Sequence, residues 1–205
     1  MNSNESKGLR ARVRGPFALF TRPEVSPERM SYDVLTPTAA VGILESILWK
    51  PGMRWTIKAI MVLKPLGSFM TIKSNEVKKG AYNDEGYVAN EVRTQRTSLV
   101  LKDVDYVIEA TIRLTDKAGE QDNLTKFVEM FERRLEKGQL FRTPYLGLRQ
   151  FTAYVSPVNE APAPVNESRD LGEMPLRVVF GDPPTIEFFH AKMERGVIRV
   201  PAARS

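Results

Sequence analysis

Residues 121–151, QDNLTKFVEMFERRLEKGQLFRTPYLGLRQF, decide how the rest of the chain is read. Leu124, Phe127, Val128, Phe131 and Leu135 recur at the i, i+3, i+4, i+7, i+11 spacing that lays one apolar stripe along a helix, with charge on the opposite face. Asp122 or Asn123 can cap the start, and Gly138 stands where a left-handed residue closes a helix. Glu129 precedes Arg133 by four residues, the favourable order for a helical ion pair. The spacing predicts a helix of about four turns. In the short loop that follows, Arg142, Pro144, Gly147 and Arg149 surround Tyr145. Cations, backbone donors and an aromatic ring so close together can hold a phosphate or stack on a base, and they equally make a helix-to-strand connection with solvated arginines.

Toward the N-terminus, residues 9–20, LRARVRGPFALF, alternate apolar and basic through Arg14, which predicts a half-buried strand with one core face and one positive face. Gly15-Pro16 bends or bulges it. The loop at 21–33 mixes Arg22 and Arg29 with Glu24, Glu28 and Asp33, charges that neutralise one another at a surface. Thr36-Pro37 reads as an N-cap with proline in the first helical position, and Ala39, Ala40, Ile43, Leu44, Ile47 and Leu48 give the first helix a broad apolar face. Pro51-Gly52 stops it before a strand at 55–63, WTIKAIMVL.

Between 68 and 101 hydrophobicity falls, and Lys73, Lys78, Lys79, Arg93, Gln95 and Arg96 mark a long exposed hairpin arm. Residues 104–114, VDYVIEATIRL, are the clearest strand, and 151–155 form another. Residues 157–165 have linker composition, and LRVVF, TIEFFHAKM and VIRVP follow as three short strands. The expected class is α+β. Residues 1–156 read as a βαββαβ ferredoxin-like, RRM-like domain with a β-hairpin arm at about 68–101, and residues 166–205 as a small C-terminal antiparallel β-sheet.

A chain of 205 residues buries a core unaided. With no cysteine it makes no disulfide and has no thiol chemistry or sulfur-ligated zinc, and its single histidine, His190, rules out a His-rich metal site. Neither a metal nor a cofactor is expected. Thirty Lys+Arg against 25 Asp+Glu lean toward a polyanionic partner. No run is long and apolar enough to span a membrane, and the polar start MNSNESKG is unlike a secretory signal, so a cytoplasmic protein without membrane contact is expected.

Four stretches carry a resemblance: GPFALFTRPEVSPERMSYDVLTPTAAVGILESILWKP, NEV at 75–77, DVDYVIEA at 103–110 and GQLFRTPYLGLRQF at 138–151. Together with the ending AKMERGVIRVP, they resemble the CRISPR-associated protein family 5 of subtype I-C. The resemblance implies an RRM-like domain with a hairpin arm before a small C-terminal sheet. It also implies a metal-independent endoribonuclease that cuts the repeat of precursor CRISPR RNA and then stays on the 5′ handle within a type I interference complex. The implied partners are CRISPR RNA and the backbone and large subunits, with target DNA met indirectly.

Such cleavage needs a group to take the proton of the attacking 2′-OH, a group to protonate the leaving 5′-oxygen, and a cation beside the phosphorane. In the family these roles fall to an aromatic or histidine near the end of the first helix and to a Lys-His pair at the start of the second. Carried onto this sequence, the positions are Leu48 and Lys126-Phe127. Lys126 is retained as a catalytic candidate, whereas neither Leu48 nor Phe127 can transfer a proton. Tyr32 and Tyr145, with phenol pKa values near 10, are slow bases unless cations shift them. His190, between Phe189 and Ala191, reads as a structural residue. The residues expected to bind RNA are Arg14, Arg22, Arg29, Lys50, Arg93, Arg96, Arg142, Tyr145 and Arg149. The favoured expectation is a handle-binding subunit that cleaves slowly or not at all; the alternative is a nuclease with a rearranged site.

Overall fold

The computed structural model describes residues 5–25, 28–77 and 93–202. Along the chain run β1 (Leu9–Ala18), β2 (Arg29–Met30), α1 (Pro37–Ile47), β3 (Met53–Val62), β4 (Phe69–Val77), β5 (Arg93–Leu114), α2 (Leu124–Glu136), β6 (Tyr154–Ser156), β7 (Arg169–Val179), β8 (Thr185–Glu194) and β9 (Val197–Arg199). The strands join in one sheet with the path β6-β1-β5-β3-β9-β8-β7, and β2 and β4 pair with β5 off that path. The β2–β5 pairing is parallel, and the other pairings are antiparallel. The fold is α+β, built mostly on an antiparallel sheet.

The strand read from 104–114 is the second half of a 22-residue β5. Its first half pairs with β4, from Val77↔Arg93 to Phe69↔Leu101, and its second half lies between β1 and β3. At about 3.3 Å per residue such a strand reaches roughly 70 Å, well past the body of the sheet. The antiparallel β4–β5 pair lies within the hairpin arm expected at about 68–101; Arg93, Thr94 and Gln95 are all exposed there, so polarity rather than apolar alternation marks it. Lys78, Lys79, Tyr82 and Tyr87 of the expected arm lie outside the described residues.

In β1 the alternation holds: Leu9, Ala11 and Val13 are buried, and the arginines between them point away. The positive face, however, is largely neutralised. Arg10 meets Glu109 at 2.8 Å, and Arg12 reaches Asp105 with two bonds of 2.7 and 3.0 Å. These are cross-strand charge pairs on one face of the β1–β5 ladder. Arg14 is the exposed arginine left over.

Both helices end in ways that tie them together. Thr36 caps α1 by accepting from the Ala39 amide at 3.3 Å, ahead of Pro37. The last turn of α1 carries no basic residue. Its carbonyls are satisfied from outside, Ser46 by the amides of Phe141 and Arg142 at 2.7 and 3.1 Å, and Ile47 by the Arg134 guanidinium of α2 at 2.8 Å. Asn123 rather than Asp122 caps α2, its side-chain oxygen accepting from the Lys126 amide at 2.8 Å. At the other end Gly138 adopts φ 62°, and the bonds Gly138 N–H to Leu135 and Gln139 N–H to Arg134 close a Schellman turn. Glu129 and Arg133 make no ion pair among the described residues. Phe127, Val128, Phe131 and Leu135 are buried, with Phe131 edge-on to Trp55 of β3 at 4.8 Å between centroids.

The loop after α2 is held by backbone geometry. Leu146 N–H bonds Phe151 and its carbonyl accepts from Leu19, while Gly147 has φ 86°. A Cβ on Gly147 would lie 1.9 Å from the Leu19 oxygen, so both the conformation and the space require glycine. At the far side β9 pairs with β3 from Ala59↔Arg199 to Met61↔Val197, which joins the C-terminal strands to the main sheet. No helix among the described residues is long and apolar enough to cross a membrane.

Candidate nucleic-acid interface

The end of α1 and the start of α2 place two cations and one ring on a common surface. Leu48 caps α1 in an extended conformation, and its carbonyl accepts from the Trp55 indole at 3.0 Å. The chain then turns outward, so that Trp49 is 47% exposed and Lys50 is exposed. The turn at 51–52 packs against the loop before α2, since a Cβ on Gly52 would meet both Ala118 and Asp122 at 2.9 Å. Lys126 Nζ lies 3.1 Å from Asp122 and 3.4 Å from the Gln121 carbonyl. The Asp122 carboxyl is held below its ordinary value, first by the hydrogen bond from Lys126, then by the Gly119 amide and by the charges of Lys126 and Lys50. Lys126 thus holds the half-buried Asp122 carboxylate, which also feels the charge of Lys50, and Trp49 next to Lys50 in sequence faces solvent. The arrangement can hold a phosphate and stack on a base.

Proton transfer is a different matter. Leu48 is 0% exposed and Phe127 1%, so both positions belong to the apolar core. The tyrosine alternative also fails at Tyr32, whose hydroxyl is pushed up by burial, with the nearby Arg22 only partly offsetting the rise. His190 lies on β8, with its ring nitrogens 2.8 Å from Asp170 and 3.3 Å from Glu173 of β7. Its pKa is raised, chiefly by the hydrogen bond to Asp170.

The loop between α2 and β6 forms a second patch. Arg142 is 3.6 Å from Glu45, a carboxyl raised by burial and drawn back by that arginine, so Arg142 is partly committed to α1. Phe141 beside it is 63% exposed. Tyr145 is half-buried and bridges to Thr152, while Arg149 is exposed and has no ion pair among the described residues. Across the β1–β6 pairing, exposed Arg14 stands opposite Tyr154. Trp49, Phe141 and Tyr154 went unread in the sequence, where a large ring is indistinguishable from core. The signal available was a basic neighbour, Lys50 for Trp49 and Arg142 for Phe141.

A third group lies on the β4–β5 ladder. Arg29 makes two bonds to Glu76, at 2.5 and 3.2 Å, and Arg96 approaches the same carboxylate at 3.3 Å. These arginines bind β2 and β5 to β4, and Arg93 is exposed further along. Arg22 is likewise engaged: it lies 4.5 Å above the Tyr32 ring and pairs with Glu24 and Asp33 at 3.4 and 3.9 Å. The nine expected RNA-binding residues therefore fall into separate patches, and four of them are paired with carboxylates.

The chain matches the family model described as CRISPR-associated protein (Cas_Cas5) over residues 8–201. It is 42% identical to the CRISPR pre-crRNA endoribonuclease Cas5d of Mannheimia succiniciproducens, over 94% of each chain. To the protein of the same name from Thermus thermophilus it is 41% identical, over 96% of this chain and 92% of that one. A solved CRISPR-associated protein superposes with a TM-score of 0.73 at 24% identity, covering 97% of this chain and 93% of the other. With a family match from one end of the sheet to the other and two relatives above 40% identity, the chain belongs to the CRISPR-associated Cas5 family, subtype I-C.

Proposed function

We propose that this protein binds CRISPR RNA as a subunit of a type I interference complex, holding the 5′ handle, with metal-independent cleavage slow or absent. The relatives named pre-crRNA endoribonucleases support the RNA and its class. The observation that carries the reading is the burial of Leu48 and Phe127, while Lys126 is exposed. Binding needs cations and rings, which are at the surface here. Cleavage by the 2′-OH needs two proton transfers, and the matching side chains are a leucine and a phenylalanine inside the core.

The sheet order supports the finer reading of the fold. Counting β1, β3, β5 and β6 as the four strands of a βαββαβ unit, the path β6-β1-β5-β3 is the 4-1-3-2 order of a ferredoxin-like sheet, with α1 and α2 in contact with each other and with the sheet. On this reading residues 1–156 are the RRM-like unit. Residues 166–205 are an appendage joined to it through β3–β9. Backbone and large subunits dock around the bound handle, and target DNA is met through the guide.

A second reading, a nuclease rearranged around Lys126, Arg149 and a tyrosine, is favoured by the relatives' names. Incubating the purified protein with its own locus's repeat RNA in EDTA separates the two. Binding without a 2′,3′-cyclic phosphate product is expected. Rapid cutting at one site would overturn the first reading.

A further inference from the structure

The β7–β8 hairpin outruns the core. Leu176 is the last buried residue on β7, and the ladder shifts register between Pro175 and Arg177, a bulge that bends the strand pair where it leaves the body of the protein. Beyond it Val178 pairs with Ile186 and Val179 with Thr185. Cross-strand partners share a face and successive residues alternate, so Val178 and Val179 point to opposite sides. They are 44% and 40% exposed, Ile186 and Phe188 are 45% and 40%, and Phe180 in the turn is 89% exposed. Neither side of the ladder is covered here, and the hairpin projects as a finger with apolar surface on both faces and at its tip.

Charge and area select the occupant. Residues 176–188 contain no lysine, their one arginine, Arg177, is held by Glu187 at 2.5 Å, and Asp182 sits in the turn. Further down β8, His190 and Lys192 stand beside Asp170 and Glu173. A nucleic-acid backbone or an anionic lipid headgroup would therefore meet carboxylates and committed cations at the finger. Exposed at these fractions, the five apolar side chains offer roughly 400–500 Å². Two fingers set against each other would cover about 1,000 Å² at most, below the roughly 1,200–2,000 Å² of a stable interface, which argues against a second copy. A projection that is apolar on both faces is buried whole only inside a cleft. We propose that the β7–β8 finger inserts into an apolar cleft of another protein subunit, with Phe180 as the anchor and Arg177, Glu187 and Asp182 as the polar rim. Its strands are paired up to the Val179–Thr185 step, so the anchor is ordered before it docks and little entropy is lost. This rests on the complex-membership reading above and names a surface that does the docking.

The test uses the full chain with the other protein subunits encoded in its own locus and a guide RNA. Phe180→p-benzoylphenylalanine puts a light-activated crosslinker at the tip of the finger. Irradiation of the assembled complex should join position 180 to one other protein subunit, within an apolar segment. Phe180→Asp combined with Ile186→Thr should melt where the unmodified protein does, because both side chains are exposed, yet join the other subunits at least about tenfold more weakly. Phe180→Leu, which keeps an apolar tip, should retain most of that affinity. Alone, the protein should stay monomeric and should not float with vesicles of phosphatidylcholine and phosphatidylglycerol.

Crosslinking of position 180 to RNA or to a second copy would overturn the proposal, as would dimerisation or vesicle binding that Phe180→Asp abolishes. Normal assembly with no crosslink from position 180, or with full affinity in the double variant, would overturn it too while leaving complex membership in place. If the unmodified protein binds its own repeat RNA but does not join the other subunits, the complex-membership reading falls and takes this proposal with it. Should the double variant fail to fold, the crosslink from position 180 decides.

Discussion

The Trp55 indole of β3 donates to the Leu48 carbonyl at the end of α1, at 3.0 Å, while the same ring meets Phe131 of α2 edge-on at 4.8 Å. One side chain thus sets the spacing between the two helix ends that carry Leu48, Lys50, Lys126 and Phe127. The backbone frame around these positions is well tied, and the side chains of Leu48 and Phe127 placed on it are those of a core.

From this follows an expectation for restoring the family pattern. Leu48→Tyr with Phe127→His puts a larger ring and a polar one into closed positions, each costing about 1–3 kcal/mol in thermal or urea unfolding. The double variant should nevertheless cut repeat RNA in EDTA at least about 10²-fold faster than the natural protein, because general acid-base groups typically contribute that much. Equal rates in both proteins would show that the missing groups do not limit cleavage.

RNA affinity should track the cations that the protein leaves available. Lys50→Ala and Arg149→Ala are each expected to weaken binding similarly across sequences and to reduce the magnitude of the salt slope by about one. Arg29→Ala should act differently. Its guanidinium already serves Glu76, so it should lower stability by about 1 kcal/mol and leave the slope nearly unchanged. Titrations at several salt concentrations, paired with urea melts, check both halves.

Gly147→Ala should be among the most damaging single changes in the chain. The added carbon would collide with the Leu19 carbonyl in a backbone conformation that alanine disfavours. A loss of more than about 4 kcal/mol in unfolding free energy is expected.

His190 offers a titration free of overlap, being the single histidine. Its pKa is raised above the ordinary 6.5, first by the Asp170 hydrogen bond, and that of Asp170 is lowered, first by the Gly172 amide and then by His190. The histidine's contribution to stability is therefore fully present below its unfolded value and is lost as pH rises through the raised folded value. The aspartate's is present above its unfolded value and is lost as pH falls through the lowered one. NMR should place the His190 midpoint above 6.5, and Asp170→Asn should move it back down.

Much of the architecture is written in local chemistry. The Thr36-Pro37 start, the Gly138 stop and the apolar stripe from Leu124 to Leu135 each follow from a few adjacent residues, because caps and helical faces are settled within a turn or two. The alternation in β1 is likewise readable from Leu9, Ala11 and Val13. The first half of β5 was readable only as part of a polar hairpin arm at about 68–101 and not as one strand with 104–114, since a strand paired through its backbone and exposed on its side chains leaves no hydrophobic period. The absence of proton-transfer groups at Leu48 and Phe127 is also a property of sequence.

What the tertiary structure decided is which charges remain free and which rings face water. Arg10, Arg12, Arg29 and Arg142 look alike in sequence to Arg14 and Arg149. Their partners Glu109, Asp105, Glu76 and Glu45 lie 47 to 99 residues away and are brought near only by strand pairing and helix docking. Trp49 and Trp55 differ by six positions, yet one is exposed and the other is 4% exposed with its N–H bonded. A cavity at Tyr32 joins residues from the loops after β1, β2 and α2 with others from α1 and β7. The Tyr32 hydroxyl, unpaired among the described residues, is buried only after those elements have closed around it, because burial and hydrogen-bond pairing are properties of long-range contacts rather than of neighbouring residues.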